Sequence, residues 1–198
     1  MRNLYGLCIL VTMLATLCAT VAMMNTPVQS KNPFVDFDIA GKGKFTMELL
    51  MDDAPRTAGN IKRLVDMKFY DGIIIHRYVK GFVVQAGDPQ SKSMMPSEVI
   101  ARPGENGGTN GLGDDVMGPA IQFEPNKLSH IKGTVGIALE SPADNSGASQ
   151  WFINLADNKR LDGKYVVFAR ITSGMDVVMN MRRGDLIKSA KSYSANKP

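Results

Sequence analysis

The chain has 198 residues, of which 44% are hydrophobic and 21% charged, a composition typical of one globular domain and not of a disordered or collagen-like chain. Its 23 basic and 19 acidic residues give a net charge of +4 without any run of lysines or arginines, which argues against a nucleic-acid-binding protein. Both cysteines lie before residue 31, so the remainder can form neither a disulfide nor a cysteine-ligated metal site.

The first thirty residues differ from the rest of the chain. An uncharged apolar stretch over residues 5–24 follows Arg2, which is the pattern of an export signal. The stretch is also long enough to span a bilayer as a helix. We therefore predict that residues 1–30 are a signal peptide, or else an N-terminal membrane anchor plus a short linker. Both alternatives place residues 31–198 outside the cytoplasm, in the periplasm or secreted.

The beginning of the exported part predicts a hairpin followed by a helix. Apolar and polar residues alternate at 34–39 and again at 45–50, with a Gly-Lys-Gly turn between them. Pro55 occupies the first turn of a segment whose later apolar residues have helical spacing. We expect Asp52 and Asp53 to stabilise the positive end of this helix.

The rest of the chain predicts β-structure around one long irregular segment. Residues 87–130 contain many glycines and prolines and predict a loop, which at that length in a compact domain is usually functional. A second helix is expected from about Met175 to Arg183. Further strands are expected at 73–78, 82–86, 134–138, 150–154, 165–171 and 186–193. Many short strands without β–α alternation favour an antiparallel barrel or sandwich.

Two polar side chains lie among apolar residues in the predicted strand at 73–78. Ile75 and Arg77 share one face of this strand. An arginine on an apolar face must pair with an acidic group across the barrel or face a ligand, and both alternatives remain open. His76, on the other face, is interpreted as a structural histidine because no adjacent serine or carboxylate forms a catalytic partner.

The strands at 82–86 and 150–154 also mix polar and apolar side chains. Alternation places Phe82, Val84 and Ala86 on one face of the first strand, and Val83 and Gln85 on the other. In the second strand Gln150 and Phe152 share a face. If each residue is considered alone, Gln150 is interpreted as an amide bonded to backbone, and Phe152 and Leu161 are interpreted as core residues.

Taken together, five segments of the chain resemble the cyclophilin-type peptidyl-prolyl isomerases, in particular exported, bacterial-like members. They are HRYVKGFVVQAGDP (76–89), GTVGIA (133–138), SGASQWFINLAD (146–157), LDGKYVVFARI (161–171) and GDLIKSA (184–190). The resemblance implies a mainly β fold for residues 31–198, a closed eight-stranded antiparallel β-barrel capped by two α-helices. It also implies isomerisation of Xaa-Pro bonds in exported or folding polypeptides without cofactor, metal or covalent intermediate.

The same resemblance assigns roles to individual residues. Arg77 matches the catalytic arginine, which donates to the proline nitrogen only in the twisted amide, where that nitrogen regains its lone pair. The implied substrate-binding residues are Phe82, Val83, Gln85, Ala138, Gln150, Phe152, Leu161 and Tyr165. The two phenylalanines and the leucine match the pocket for the proline ring, the glutamines match polar groups of the groove, and the alanine leaves room for the peptide backbone.

Four positions depart from the family pattern. Val83 stands where the family often has methionine, and Leu139 stands where it often has asparagine or arginine. Arg160 stands where some members have tryptophan, and Tyr165 where many have histidine. The last two changes argue against cyclosporin binding more than against catalysis.

Two other classes of function remain open. A peptide-binding or chaperone module on this scaffold would keep the apolar pocket but misplace or neutralise Arg77. An exported hydrolase would need a serine and an acid around His76 or His130, and no spacing proposes such a set. The acidic residues between 105 and 115 lack the ligand order of a calcium loop. We expect a monomer whose partners are proline-containing peptides and unfolded client proteins.

Overall fold

The computed structural model describes residues 32–102 and 120–194, which include eight β-strands and three α-helices. The strands are β1 (Phe34–Ile39), β2 (Gly43–Leu49), β3 (Arg77–Val79), β4 (Val83–Ala86), β5 (Thr134–Ile137), β6 (Trp151–Asn154), β7 (Val167–Ser173) and β8 (Ile187–Tyr193). The helices are α1 (Pro55–Asp66), α2 (Pro96–Ala101) and α3 (Met175–Asn180), with 3-10 turns at Pro89–Ser93 and Lys159–Leu161. The predicted signal or anchor at 1–30 and the acidic residues between 105 and 115 lie outside the described residues.

The eight strands of the described residues form one antiparallel sheet in the order β3-β4-β6-β5-β7-β2-β1-β8. The mainly β fold with eight antiparallel strands is therefore confirmed. The closed barrel is not, because the ladder is open between β3 and β8. Backbone hydrogen bonds link the segments next to these edges: Gly184 N donates to Ile75 O at 2.9 Å, and Ile187 N donates to Ile73 O at 2.8 Å.

The apolar core lies on one side of the sheet, as the period-two pattern of the strands requires. Along β1, fully buried residues alternate with half-buried ones. The rings of Phe37 and Phe45 stack at 5.2 Å between centroids, and Trp151 of β6 packs edge-on against Phe37 at 5.3 Å. Helix α1 adds the buried side chains Ile61 and Leu64 to the same core. The opposite face of β4 and β6 is thereby left for other contacts.

Helix α1 is stabilised at its first turn by a residue from a distant part of the chain. Its N-cap residue, Ala54, offers no side-chain hydrogen bond, and the first turn holds no acidic residue. The buried carboxylate of Glu124 instead accepts hydrogen bonds from the backbone N–H groups of Arg56 and Thr57, both at 3.0 Å. Glu124 therefore satisfies these free amides of the helix, whereas the two aspartates expected at its positive end lie before the first turn.

Three elements differ from the sequence expectation. The strand predicted at 73–78 is regular only over Arg77–Val79, because the residues before it pair with 184–187. Helix α3 ends at Asn180 because Met181 has extended backbone angles. Helix α2 lies inside the segment predicted as a loop, so the described residues hold three α-helices and not two. None of the helices in the described residues is long and apolar enough to cross a membrane.

Candidate active site

The predicted catalytic arginine lies in a row of side chains that crosses four strands. Arg77 on β3 is opposite Gln85 on β4, Gln85 is opposite Phe152 on β6, and Phe152 is opposite Gly136 on β5. Directly opposed residues of an antiparallel pair share a face. Trp151 and Phe152 are neighbours on β6, and Trp151 belongs to the core. The row therefore lies on the face of the sheet opposite the core.

The guanidinium of Arg77 is linked to two amides. Arg77 Nη1 donates to Gln85 Oε1 at 3.4 Å, and Gln85 Nε2 donates to Gln150 Oε1 at 3.0 Å. Both glutamines therefore bond to side chains, and the interpretation of Gln150 as an amide bonded only to backbone is wrong. Because an amide is uncharged, these contacts orient the guanidinium without neutralising it. Arg77 is half-buried, which reduces screening of its charge by water.

Six of the predicted substrate-binding residues form an apolar cluster on this face. Its buried members are Val83, Ala138 and Phe152, and its partly buried members are Phe82, Leu161 and Tyr165. We call this set the apolar cluster. Only Tyr165 also packs against the main core. The ring of Phe152 meets that of Tyr165 edge-on at 5.8 Å.

Phe82 lies on a different face from the one predicted by strand alternation. It packs with Val83 in the apolar cluster rather than with Val84 and Ala86 in the core. The reason is that β4 begins at Val83, so that Phe82 belongs to the preceding turn and not to the strand. In this position its ring centroid lies 5.7 Å from Cζ of Arg77. The cation therefore lies beside the apolar cluster.

Two residues that support Phe152 were not identified as functional from the sequence. A Cβ atom on Gly136 would lie 2.4 Å from Cζ of Phe152, so the ring occupies space that only glycine leaves. On β6 the ring of Phe152 also stacks with that of His130 at 5.6 Å and 18°. A glycine inside a strand is a recognised sign of close approach, and Gly136 in GTVGIA carried that signal.

His130 is held as a neutral ring behind the apolar cluster. Its Nε2 lies 3.1 Å from the carbonyl oxygen of Tyr165, which can only accept, and its Nδ1 lies 3.2 Å from the Nδ2 of Asn154, which can only donate. The pattern therefore assigns the proton to Nε2. Burial lowers the pKa of His130, with the Tyr165 carbonyl acting in the opposite direction, which agrees with a neutral ring.

The other histidine, His76, is fully buried, and neither of its ring nitrogens has a hydrogen-bond partner in the described part of the chain. Burial, assisted by the charge of Arg77, lowers its pKa to about 3. Within residues 32–102 and 120–194, neither histidine ring bonds a hydroxyl or a carboxylate. The hydrolase alternative therefore has no catalytic set in these residues.

Comparisons with known proteins agree with this geometry. Residues 34–196 match the family model described as cyclophilin type peptidyl-prolyl cis-trans isomerase. The chain is 32% identical over 139 residues to the peptidyl-prolyl cis-trans isomerase CYP18-2 of Arabidopsis thaliana, covering 70% of this chain and 74% of that protein. It is 37% identical over 142 residues to a probable peptidyl-prolyl cis-trans isomerase of Brucella suis, covering 72% and 68% respectively.

A solved structure shows the same fold. The crystal structure of a Cryptosporidium parvum cyclophilin type peptidyl-prolyl cis-trans isomerase superposes with a TM-score of 0.63 at 21% identity, over 82% of this chain and 98% of that one. With a family model that spans most of the sequence, and relatives above 30% identity, the assignment does not depend on the fold alone. The chain belongs to the cyclophilin-type peptidyl-prolyl cis-trans isomerases.

Proposed function

We propose that this chain, acting as a monomer, accelerates rotation about Xaa-Pro bonds in exported or folding polypeptides, with Arg77 stabilising the twisted amide. The observation that carries the proposal is the position of the guanidinium, 5.7 Å from the centre of the Phe82 ring and beside the apolar cluster. A set of apolar side chains next to a cation suits a proline ring whose nitrogen becomes an acceptor.

The chemistry requires very little from the protein. Amide rotation has a barrier of about 18–20 kcal/mol because the nitrogen lone pair is delocalised into the carbonyl. In the twisted state this lone pair is localised, and a guanidinium N–H can donate to it. The ground-state amide offers no such acceptor, so the hydrogen bond stabilises the transition state selectively. No nucleophile, metal or cofactor takes part.

The pocket and the two glutamines would hold the substrate for this step. We assign the proline ring to the apolar cluster, with the side chain of Gln85 beside Arg77 and available to the substrate carbonyl. The crystal structure of a Cryptosporidium parvum cyclophilin type isomerase was determined in the presence of the dipeptide Ala-Pro. That protein has the same fold, which supports a proline-containing ligand for this chain.

A protease-coupled assay on short Xaa-Pro peptides tests the proposed activity. We expect the purified protein to accelerate cis-to-trans conversion well above the uncatalysed rate, which has a time constant of tens to hundreds of seconds. A rate equal to that of buffer, together with peptide binding seen by NMR titration, would show that the chain is a peptide-binding module without turnover.

We also propose that the domain works outside the cytoplasm, on exported chains. The proposal is supported by the uncharged stretch at 5–24 following Arg2. Fractionation of cells combined with mass spectrometry of the intact protein tests it. Loss of the N-terminal segment would indicate a signal peptide, and a full-length mass in the membrane fraction would indicate an anchor. A full-length protein found only in the cytoplasm would contradict the proposal.

A further inference from the structure

The rim of the candidate site carries two cations that the proposed mechanism does not use. Arg160 has its Cζ 4.5 Å from the centre of the Phe82 ring, closer than the Cζ of Arg77. Lys159 precedes it in the 3-10 turn, and both residues are exposed. In the described ranges 32–102 and 120–194, no carboxylate forms a salt bridge with either of them.

These cations line a depression next to the apolar cluster. The depression has a volume of about 330 Å³ and is bounded by Gly81, Phe82 and residues 157–160. Phe82 belongs both to this depression and to the apolar cluster. A peptide whose proline lies in the cluster therefore has a neighbouring residue within reach of the depression.

The charge of the depression is predominantly positive. Lys80 is exposed in the turn beside Gly81 and adds a third cation. One carboxylate, that of Asp157, lines the depression, and it accepts a hydrogen bond from the backbone N–H of Lys132 at 2.9 Å. The nearby Asp162 accepts from His130 N and Ser129 Oγ, both at 2.7 Å. Asp157 is therefore engaged by a donor other than the rim cations, whereas Asp162 is bonded by Ser129 and His130 and also interacts electrostatically with Lys159.

We propose that Arg160, assisted by Lys159, makes the site prefer peptides with an acidic side chain close to the isomerised bond. The inference rests on the proposed function and adds a substrate class to it. A guanidinium has five N–H donors, so a cation–π contact with one ring leaves donors for a carboxylate, which arginine can bind in a bidentate geometry. Contact with the Phe82 ring also restrains the arginine before the substrate arrives, which reduces the entropy lost on binding.

The test uses capped peptides with a central Ala-Pro. Each peptide carries one glutamate, glutamine or lysine, placed in turn at each of the two positions before Ala and each of the two positions after Pro. Exchange rates measured by NMR give kcat/KM without a coupling protease and its own specificity. Because exposed ion pairs are weak, we expect kcat/KM for the glutamate peptide to exceed that for the glutamine peptide by about two- to fivefold at one or more positions. The lysine peptide should have the lowest kcat/KM. The preference should shrink between about 10 mM and about 1 M salt, because the Debye length falls from about 30 to about 3 Å.

Matched variants identify the responsible group. R160Q should remove most of the glutamate preference, measured as the ratio of kcat/KM for the glutamate and glutamine peptides within the same variant, and R160K should retain part of it. The control K188Q removes the same charge from an exposed position on β8, and it should leave the preference unchanged. Equal rates for all three peptides, or a preference that survives in R160Q, would overturn the inference while leaving isomerase activity established.

Wild-type protein that isomerises no peptide would instead overturn the proposed function. NMR titration with the same peptides then decides the inference from binding alone. Tighter binding of the glutamate peptide that is lost in R160Q supports it, and equal dissociation constants overturn it.

Discussion

Among single residues, Arg77 has the most specific surroundings. Its guanidinium lies against an aromatic ring and donates to a neutral amide, Gln85, at a long distance of 3.4 Å. A guanidinium forms a shorter and stronger hydrogen bond to a better acceptor than it does to a neutral amide. Activity and stability should therefore respond very differently to its removal.

The variant Arg77→Ala should lower kcat/KM by about ten- to a thousandfold, each factor of ten corresponding to about 1.4 kcal/mol of lost transition-state stabilisation. We expect the midpoint of thermal unfolding to change little, because the residue is half-buried at an edge strand. The measurements are the peptide assay and thermal unfolding of the same samples. Lys188→Ala, at an exposed position on β8, is the control. Full activity in Arg77→Ala would refute the mechanism.

The variant Gly136→Ala tests the support of the Phe152 ring. The added methyl group would lie 2.4 Å from Cζ of that ring, so the ring must move away from its position. We expect a loss of about 1–3 kcal/mol in the free energy of unfolding and a lower kcat/KM. Gly59→Ala is the matched control, because its new methyl group meets only Met51 Cε at 3.9 Å and a helix favours alanine. Unchanged activity in Gly136→Ala would show that catalysis does not require this ring position.

At the scale of elements, the start of helix α1 depends on a side chain outside the helix. The carboxylate of Glu124 is bonded to two backbone N–H groups and to the hydroxyl of Thr57, at 2.9–3.0 Å. Because the carboxylate is buried, water cannot take over its hydrogen bonds when Glu124 is substituted. The helix and the irregular segment that holds Glu124 therefore stabilise each other.

We expect Glu124→Ala to lower the free energy of unfolding by about 1–3 kcal/mol, since it leaves helix amides without acceptors. Glu124→Gln should cost less because it retains one acceptor oxygen. Urea denaturation provides the measurement, with the exposed Glu140→Ala as the matched control. If both glutamate-to-alanine variants unfolded alike, the helix start would not depend on Glu124.

At the scale of the whole molecule, the two buried histidines make stability depend on pH. Burial lowers the pKa of His76 to about 3, and it also lowers that of His130. Their pKa values in the unfolded chain are near 6.5, so as the pH falls below that value the unfolded chain binds protons first. The stability contribution is therefore complete at neutral pH and is lost progressively toward pH 3.

We expect the free energy of unfolding to fall by about 2 kcal/mol between about pH 7 and pH 5 from His76 alone. Urea denaturation at both pH values measures the change. His76→Gln, which does not titrate, should weaken this pH dependence even if it also lowers stability at neutral pH. A pH dependence identical in the variant and the wild type would contradict a neutral buried His76.

Local patterns in the sequence were sufficient for much of the fold. Alternation predicted the bounds of β1 and placed those of β2 within two residues, because β1 keeps one face in the core and β2 does so over part of its length. The pattern was less reliable where a strand was short. Phe82 precedes β4, so strand alternation does not decide which face of the sheet its side chain occupies. Helix α2 was not predicted because its segment is rich in glycine and proline, although Pro96 at the start of the helix is a position that helices favour for proline.

Much of the candidate site, like much of the fold, was predicted from the sequence. Nine residues implied by the family resemblance lie in one region, in the apolar cluster and the chain of hydrogen bonds from Arg77 through Gln85 to Gln150. Their catalytic and binding roles stay predictions until the variants are measured. The supporting role of Gly136 and His130 was not predicted, because a glycine in a strand does not show which side chain approaches it, and the stacking of His130 on Phe152 joins residues 22 positions apart.

By itself, the sequence determined the mainly β class, because strand patterns depend on residue type and local spacing, and its resemblance to a known family implied the residues that would form the pocket. Only the tertiary structure decided that Glu124 caps α1, that His130 supports Phe152 and that Arg160 lies on the ring of Phe82. The physical reason is that these contacts join residues between 22 and 78 positions apart, as in the 67 positions from Thr57 to Glu124. Their geometry depends on how the strands pair, and no local pattern encodes it.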